Sequence, residues 1–257
     1  ILFDGAMSHA NVYINGQKVG YWPYGYNSFH FDITKYLKPG EKNTLAVRLE
    51  NLPESSRWYP GAGLYRNVHL IITEDAYIPV WGTYITTPSV NEKFAKVNVR
   101  TKVVLPEGAD PAKYSVETSV WNPNKQKLTA VRTSLAQMKY NNNQAEQEFV
   151  IQAPSLWSPE MPALYSAETR LYEGDKLKDI YTTPFGIRSI EIIPDKGFFL
   201  NGKRTVFKGV CNHHDLGPLG AAVNDAAIRR QIRILKDMGC NAIRTSHNMP
   251  APELIRA

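Results

Sequence analysis

Cysteine is nearly missing from this chain of 257 residues, which has two in all. Two thiols cannot build the disulfide framework of a small secreted scaffold. No apolar run approaches the roughly 20 residues that a membrane-spanning helix needs. The glycine loop that cradles a phosphate is absent, and so is the serine sequence of a nucleophile elbow. Charge of one sign is not gathered anywhere: the net +6 is spread along the chain. Its densest basic stretch, Arg229 to Lys236, reads as the wet face of one helix, so no nucleic-acid partner is expected. Neither an initiator Met nor a signal peptide is present. The chain opens on Ile1-Leu2-Phe3-Asp4 and closes on what reads as a helix cut in its first turns. Both ends read as trimmed, so the compartment stays open between cytoplasm, periplasm and exterior.

What is present is the composition of a globular protein, 43% hydrophobic and 21% charged, long enough for two or three domains with their own cores. Residues 1–75 read as β. Val12 and Ile14 alternate with polar neighbours up to Asn15-Gly16, and Val19 and Tyr21 continue beyond it. That dipeptide accepts positive φ at both positions and predicts a tight hairpin. Pro39-Gly40 marks another turn before Leu45, Val47 and Leu49 at period two. The stretch Arg57 to Arg66 is too rich in glycine and aromatics for a plain strand, after which Val68, Leu70 and Ile72 resume the alternation. This suits part of a jelly-roll sandwich. Residues 76–187 form a second all-β unit: Val97, Val99, Thr101 and Val103 alternate, as do Tyr114, Val116, Thr118 and Val120. Tyr140 to Gln144 reads as a loop, and Phe149 with Ile151 marks the next strand. Short strands over about a hundred residues suggest an immunoglobulin-like sandwich.

From 188 to 257 the pattern changes. A hairpin around Asn201-Gly202 leads to an apolar strand, Thr205 to Val210. A helix follows, with Asn224 or Asp225 as its N-cap and Gly239 as its stop. Ile228, Ile232 and Leu235 give it one dry stripe. A second strand, Cys240 to Arg244, precedes the start of another helix. Strand, helix, strand, helix implies a parallel sheet, here the first portion of a (β/α)8 barrel. Cys211 near the end of one strand and Cys240 at the start of the next stand roughly 10 Å apart or more, beyond disulfide reach. Both are expected to be buried thiols.

The carboxyl ends of barrel strands form the working face. There the two strands carry Asn212-His213-His214-Asp215 and Ser246-His247-Asn248, two polar clusters at equivalent positions, which points to a site rather than to structural histidines. Zinc is disfavoured, because adjacent His-His-Asp ligands do not converge on one ion. A Ser-His-Asp triad through Ser246 is disfavoured too, because that serine neighbours its own base. Trp22, Tyr24, Tyr26, Trp58 and Tyr59 are candidates for stacking on sugar faces, against a plainer role in packing.

Tyr13-Ile14-Asn15-Gly16, Gly63-Leu64-Tyr65-Arg66-Asn67-Val68, Leu156-Trp157-Ser158-Pro159, Phe185-Gly186-Ile187-Arg188, Lys208 through Asp215, and Ile243-Arg244-Thr245-Ser246-His247 together resemble glycoside hydrolase family 2, which holds β-galactosidases, β-glucuronidases and β-mannosidases. The resemblance spans essentially the whole chain. It implies a mainly β, multidomain chain: a partial sugar-binding jelly roll at 1–75, an immunoglobulin-like sandwich at 76–187, and the start of a catalytic TIM barrel at 188–257. It also implies that His213 and His247 contact the sugar in the −1 subsite and that Asp215 bonds sugar hydroxyls. His214 falls where several relatives have Glu and takes no role. The family's retaining hydrolysis uses two glutamates, an acid/base and a nucleophile. Both are expected beyond residue 257, since Asn91-Glu92, the one Asn-Glu pair, lies in the second sandwich. Glu253 sits on the cut helix.

The reading is a fragment of a retaining exo-β-glycosidase, β-galactosidase foremost, inactive alone and acting as a whole on a β-linked oligosaccharide or glycoside. No cofactor or metal is expected in this chain. A sodium or magnesium ion is compatible with the full enzyme, although Ser55-Ser56-Arg57-Trp58 does not supply the acid some relatives use for sodium. A homo-oligomer is compatible as well. The rivals are a non-catalytic carbohydrate-binding or assembly protein and, within the enzymes, a β-glucuronidase or β-mannosidase.

Overall fold

The computed structural model describes residues 1–54, 61–137 and 144–257. The expected loop at Tyr140 to Asn143, the Arg57 to Pro60 part of the aromatic stretch, Trp58 and Tyr59 as stacking candidates, and the Ser55–Trp58 neighbourhood lie outside the described residues. The described chain forms two compact units, one of Ile1–Ile71 with Phe207–Ala257 and one of Ile72–Val206.

In the first unit the predicted hairpin is present. Ala10–Ile14 pairs antiparallel with Gln17–Trp22, across Asn15 at φ 51 and Gly16 at φ 80. The Leu45–Arg48 strand adds to the same sheet, and a second small sheet pairs Leu2–Phe3 with Phe29–His30 and Val68–His69. Between them Phe3, Ala6, Ala10, Val12 and Phe29 are buried in one cluster. Trp22 stacks on Phe29 at 5.5 Å and Phe3 on Phe29 at 4.9 Å, so Trp22 packs rather than offering a free face. The alternation at Val68 and Leu70 ends differently from expectation. The strand covers Val68–His69 only, and both apolar side chains are exposed. The residue two before Val68 on the same alternation, Arg66, is the buried one.

The second unit is an antiparallel sandwich of a four-stranded and a three-stranded sheet. Phe94–Lys102 and Tyr114–Trp121 supply its centre: Val97, Val99, Thr101, Val116, Thr118 and Val120 are all fully buried at period two, the pattern of a strand with one dry face. Phe149, Ile151, Tyr165 and Ala167 join Val97, Val99 and Val120 in one cluster, and Val116 joins a second with Val103, Leu135 and Leu171. The segment Arg188–Val206, expected at the beginning of the barrel portion, falls within this compact unit. Trp157 holds it there: its amide bonds to Ile187 O at 2.8 Å, its carbonyl accepts from Asn201 Nδ2 at 3.0 Å, and the Arg188 guanidinium lies 4.8 Å over its ring.

The carboxyl-terminal part of the first unit is the expected strand–helix–strand–helix. Its first strand is Gly209–Asn212, not Thr205 to Val210, and its second is Ala242–Thr245, not Cys240 to Arg244. Thr205 is drawn back into the preceding hairpin by its amide bond to Phe198 O. The ladder opens only after Asn241, whose side chain and amide bond the backbone of Lys208. The two strands are parallel, in register from Gly209 against Ala242 to Asn212 against Thr245. Helix α1, Asp225–Asp237, runs between them; Asn224 caps it by accepting from Ala227 N, and Gly239 leaves it at φ 85, as a C-terminal glycine should. Helix α2 is Pro252–Arg256. The thiols are free as expected but not buried: Cys211 is exposed and Cys240 half-buried. Cys211 stands on the exposed side of the Gly209–Asn212 strand, where its Sγ accepts from Arg244 on the neighbouring strand.

Candidate functional site

Both polar clusters follow directly on the parallel strands, so register decides their relation. Asn212 faces Thr245 across the ladder, and the Ser246 amide bonds to Asn212 O at 2.9 Å. The next residues along are therefore His213 on one strand and His247 on the other. Their rings meet edge to face with centroids 5.9 Å apart. Asp215 is exposed, and its Oδ1 accepts the Gly217 amide at 2.8 Å, which caps a short turn. The structure thus brings His213 and His247 into contact and gives Asp215 a bond within its own loop.

His214 turns the other way. Its ring lies against that of Tyr26 at 4.9 Å, and its Nε2 is buried without a hydrogen-bond partner. Burial, then the neighbouring Arg66 guanidinium and His213, push its imidazole down to about 4, so it is neutral at pH 7. A cavity of about 40 Å³ lies here, lined among others by Tyr65, Arg66, His213, His214 and Asp215. Pockets that enclose an organic ligand run to roughly 300 Å³ or more. A space of about 40 Å³ has room for a water or two.

The first sandwich approaches the same place. Tyr24 is exposed and its hydroxyl bonds to Asn248 Oδ1. Of the described stacking candidates it alone is exposed, since Tyr26, against whose ring it tilts at 5.6 Å, is buried and Trp22 is half-buried. Arg66, 5% exposed, donates from Nη1 to Tyr26 O at 2.7 Å and Asp4 O at 3.2 Å, and from Nη2 to Met249 O at 2.8 Å. Asn67 Nδ2 donates to Glu253 Oε1 at 2.7 Å. Sequence reasoning quoted Arg66 and Asn67 as part of a motif and Glu253 as part of a cut helix, and gave none of them a structural role. The signal was a charge standing in the alternation of Val68 and Leu70, an inward position that a cation occupies only when paired. Among the described residues no group of three or more His, Cys, Asp and Glu could hold a metal ion.

Three family models match in order: "Glycosyl hydrolases family 2, sugar binding domain" over residues 1–74, "Glycosyl hydrolases family 2" over 77–188, and "Glycosyl hydrolases family 2, TIM barrel domain" over 191–256. A beta-galactosidase of Bacteroides ovatus is 45% identical over 99% of this chain and 30% of its own length. A beta-glucuronidase of Bacteroides fragilis is 34% identical over 95% of the chain and 36% of its own. Among solved structures, a beta-glycosidase from Bacteroides vulgatus superimposes with a TM-score of 0.90 at 35% identity, covering 99% of this chain and 32% of that one. The chain therefore spans about a third of the length of the relatives it matches.

Proposed function

The chain belongs to glycosyl hydrolase family 2, and from that premise we propose that it is part of a longer retaining exo-β-glycosidase that removes terminal β-galactosides. The observation that carries this reading is the contact between His213 and His247, which stand just past the carboxyl ends of two adjacent parallel strands, where barrel enzymes do their chemistry. In retaining hydrolysis one carboxyl protonates the leaving oxygen while a second, about 5–5.5 Å away, forms a covalent glycosyl-enzyme that water then opens. Residues 1–257 supply neither. Asn91-Glu92 lies in the turn after the Thr83–Val90 strand, and Glu253 is buried on Asn67. Both glutamates are assigned to the remainder of the longer protein.

His213 and His247 then hold the terminal sugar, with Asp215 at the same cavity as an acceptor for a hydroxyl. Imidazole hydrogen bonds to sugar hydroxyls accelerate the reaction to the extent that they strengthen as the ring flattens toward an oxocarbenium ion. The relative named a beta-galactosidase supports the galactoside. The relative named a beta-glucuronidase favours a second reading. A glucuronide carries a carboxylate that needs a cation, and Arg66, the cation beside the cavity, points its Nη groups at backbone carbonyls. That argues for the neutral sugar.

The test compares the longer protein and the 257-residue chain on nitrophenyl β-galactoside, β-glucuronide and β-mannoside. Turnover led by the galactoside, with none from the chain alone, is expected. Preference for the glucuronide would move the reading to the second enzyme, and inertness toward all three would leave a carbohydrate-binding protein.

A further inference from the structure

We propose that Arg66 is a positioning residue for the rim: it holds the Ser246–Pro250 segment in place from inside the first sandwich and thereby sets His247 against His213, with Tyr24 as a second tie. What the rim is for rests on the glycosidase reading; the placement itself does not.

The argument begins with burial. A guanidinium 5% exposed is costly unless its N–H groups meet acceptors; here Nε is buried without a partner, and the two Nη groups meet main-chain carbonyls in two groups. Asp4 O and Tyr26 O belong to the sandwich. Met249 O at 2.8 Å and Pro250 O at 3.4 Å belong to the chain leaving the second parallel strand. A planar fork with donors on two terminal nitrogens can serve both groups at once; an ammonium on a flexible stem cannot. The surroundings fit that fork. A Cβ on Gly5 would stand 2.8 Å from Arg66 Cδ, so glycine leaves the side chain its path. The Tyr65 ring lies 5.0 Å from the guanidinium carbon, and buried Glu253, held by Asn67, supplies a compensating charge nearby.

The consequence is local and specific. Upstream, the Ser246 amide is fixed to Asn212 O. Downstream, Met249 and Pro250 are fixed by Arg66. Only His247 and Asn248 lie between these anchors, and Asn248 bonds to Tyr24. Two residues pinned at both ends have little freedom to rotate, so the direction of the His247 ring follows from Arg66. The sandwich in this view is part of the sugar site's frame, although Arg66 itself touches no sugar.

The experiment uses the 257-residue chain with labelled histidines and reads the Overhauser contact between the two imidazoles by NMR. Arg66→Gln is expected to lose that contact and shift the His247 signals, while the amides of Val12 and Val99 in the two cores keep their positions. Arg66→Lys is expected to recover part of it, and Tyr24→Phe, a milder change at an exposed side chain, to shift His247 without moving His213. Unchanged His247 signals in a folded Arg66→Gln chain overturn the proposal. Should that variant not fold, Tyr24→Phe and Arg66→Lys decide: native His247 signals in both overturn it equally. In the longer protein, Arg66→Gln should lower kcat on the galactoside by on the order of tenfold or more with a smaller change in KM, because misplacing a reacting group by about 1 Å can cost up to a hundredfold. Glycoside inertness of that unmutated protein would sink the enzymatic reading alone, since the NMR result stands apart from it.

Discussion

His214 lies against the Tyr26 ring, and burial, with the Arg66 guanidinium nearby, holds its imidazole down to about 4, against roughly 6.5 in an unfolded chain. The sign follows directly: between those two values the unfolded chain takes up a proton that the folded one refuses, so stability falls as the pH drops from about 6.5 to 4. Urea unfolding followed across that range should show the fall, and His214→Gln should flatten it. At His247 the expectation concerns activity. His247→Ala in the longer enzyme should lower kcat/KM by about tenfold or more, the loss of roughly 1.4 kcal/mol of transition-state stabilisation; near-unchanged kinetics on the matched sugar would remove the residue from the site. The two rim histidines could be placed from sequence because each follows within two residues of the end of a short strand. Arg66 could not be given its role, because its acceptors at Met249 and Pro250 lie more than 180 residues along the chain and are backbone atoms that leave no mark in the sequence.

Local rules explain most of the elements. Asn15-Gly16 makes its hairpin, Asn224 caps α1 and Gly239 ends it, because each depends on neighbours a few residues away. Asn224→Ala should therefore destabilise the fold by about 1 kcal/mol in chemical denaturation, a typical N-cap loss. The bounds of the parallel strands are not local, for the opposite reason. Asn241 and Lys208 set the first rung of the ladder, and no periodicity in either segment reports on a partner 33 residues away. Gly209 is the tight point of that pairing: a side chain there would run into the Ala242 carbonyl and its Cβ. Gly209→Ala is expected to cost about 1–3 kcal/mol by overpacking, and amide exchange at Val210 and Cys211 should accelerate more than at Val99.

Over the whole molecule, the two sandwiches were legible through alternation, while the grouping of residues 207–257 with 1–71 in one compact unit depends on contacts that no composition reveals. The segment 207–257 exposes Phe207, Met238, Met249 and Ile255, each at 60% or more of its full surface. Apolar groups left in water favour association. Sedimentation of the 257-residue chain should show self-association that rises with concentration and weakens when Phe207 and Ile255 are both changed to Ser; a strict monomer at all concentrations would contradict this. The Arg66 strap has a last implication, for protein engineering. Since it grips carbonyls, the side chains at 249 and 250 could be redesigned rather freely to retune what the rim accepts, while Asn248 would be kept for its bond to Tyr24. Grafting the barrel onto a foreign sandwich, however, would discard the grip altogether, so chimeras cut between the two should inherit a misaligned rim even when both halves fold.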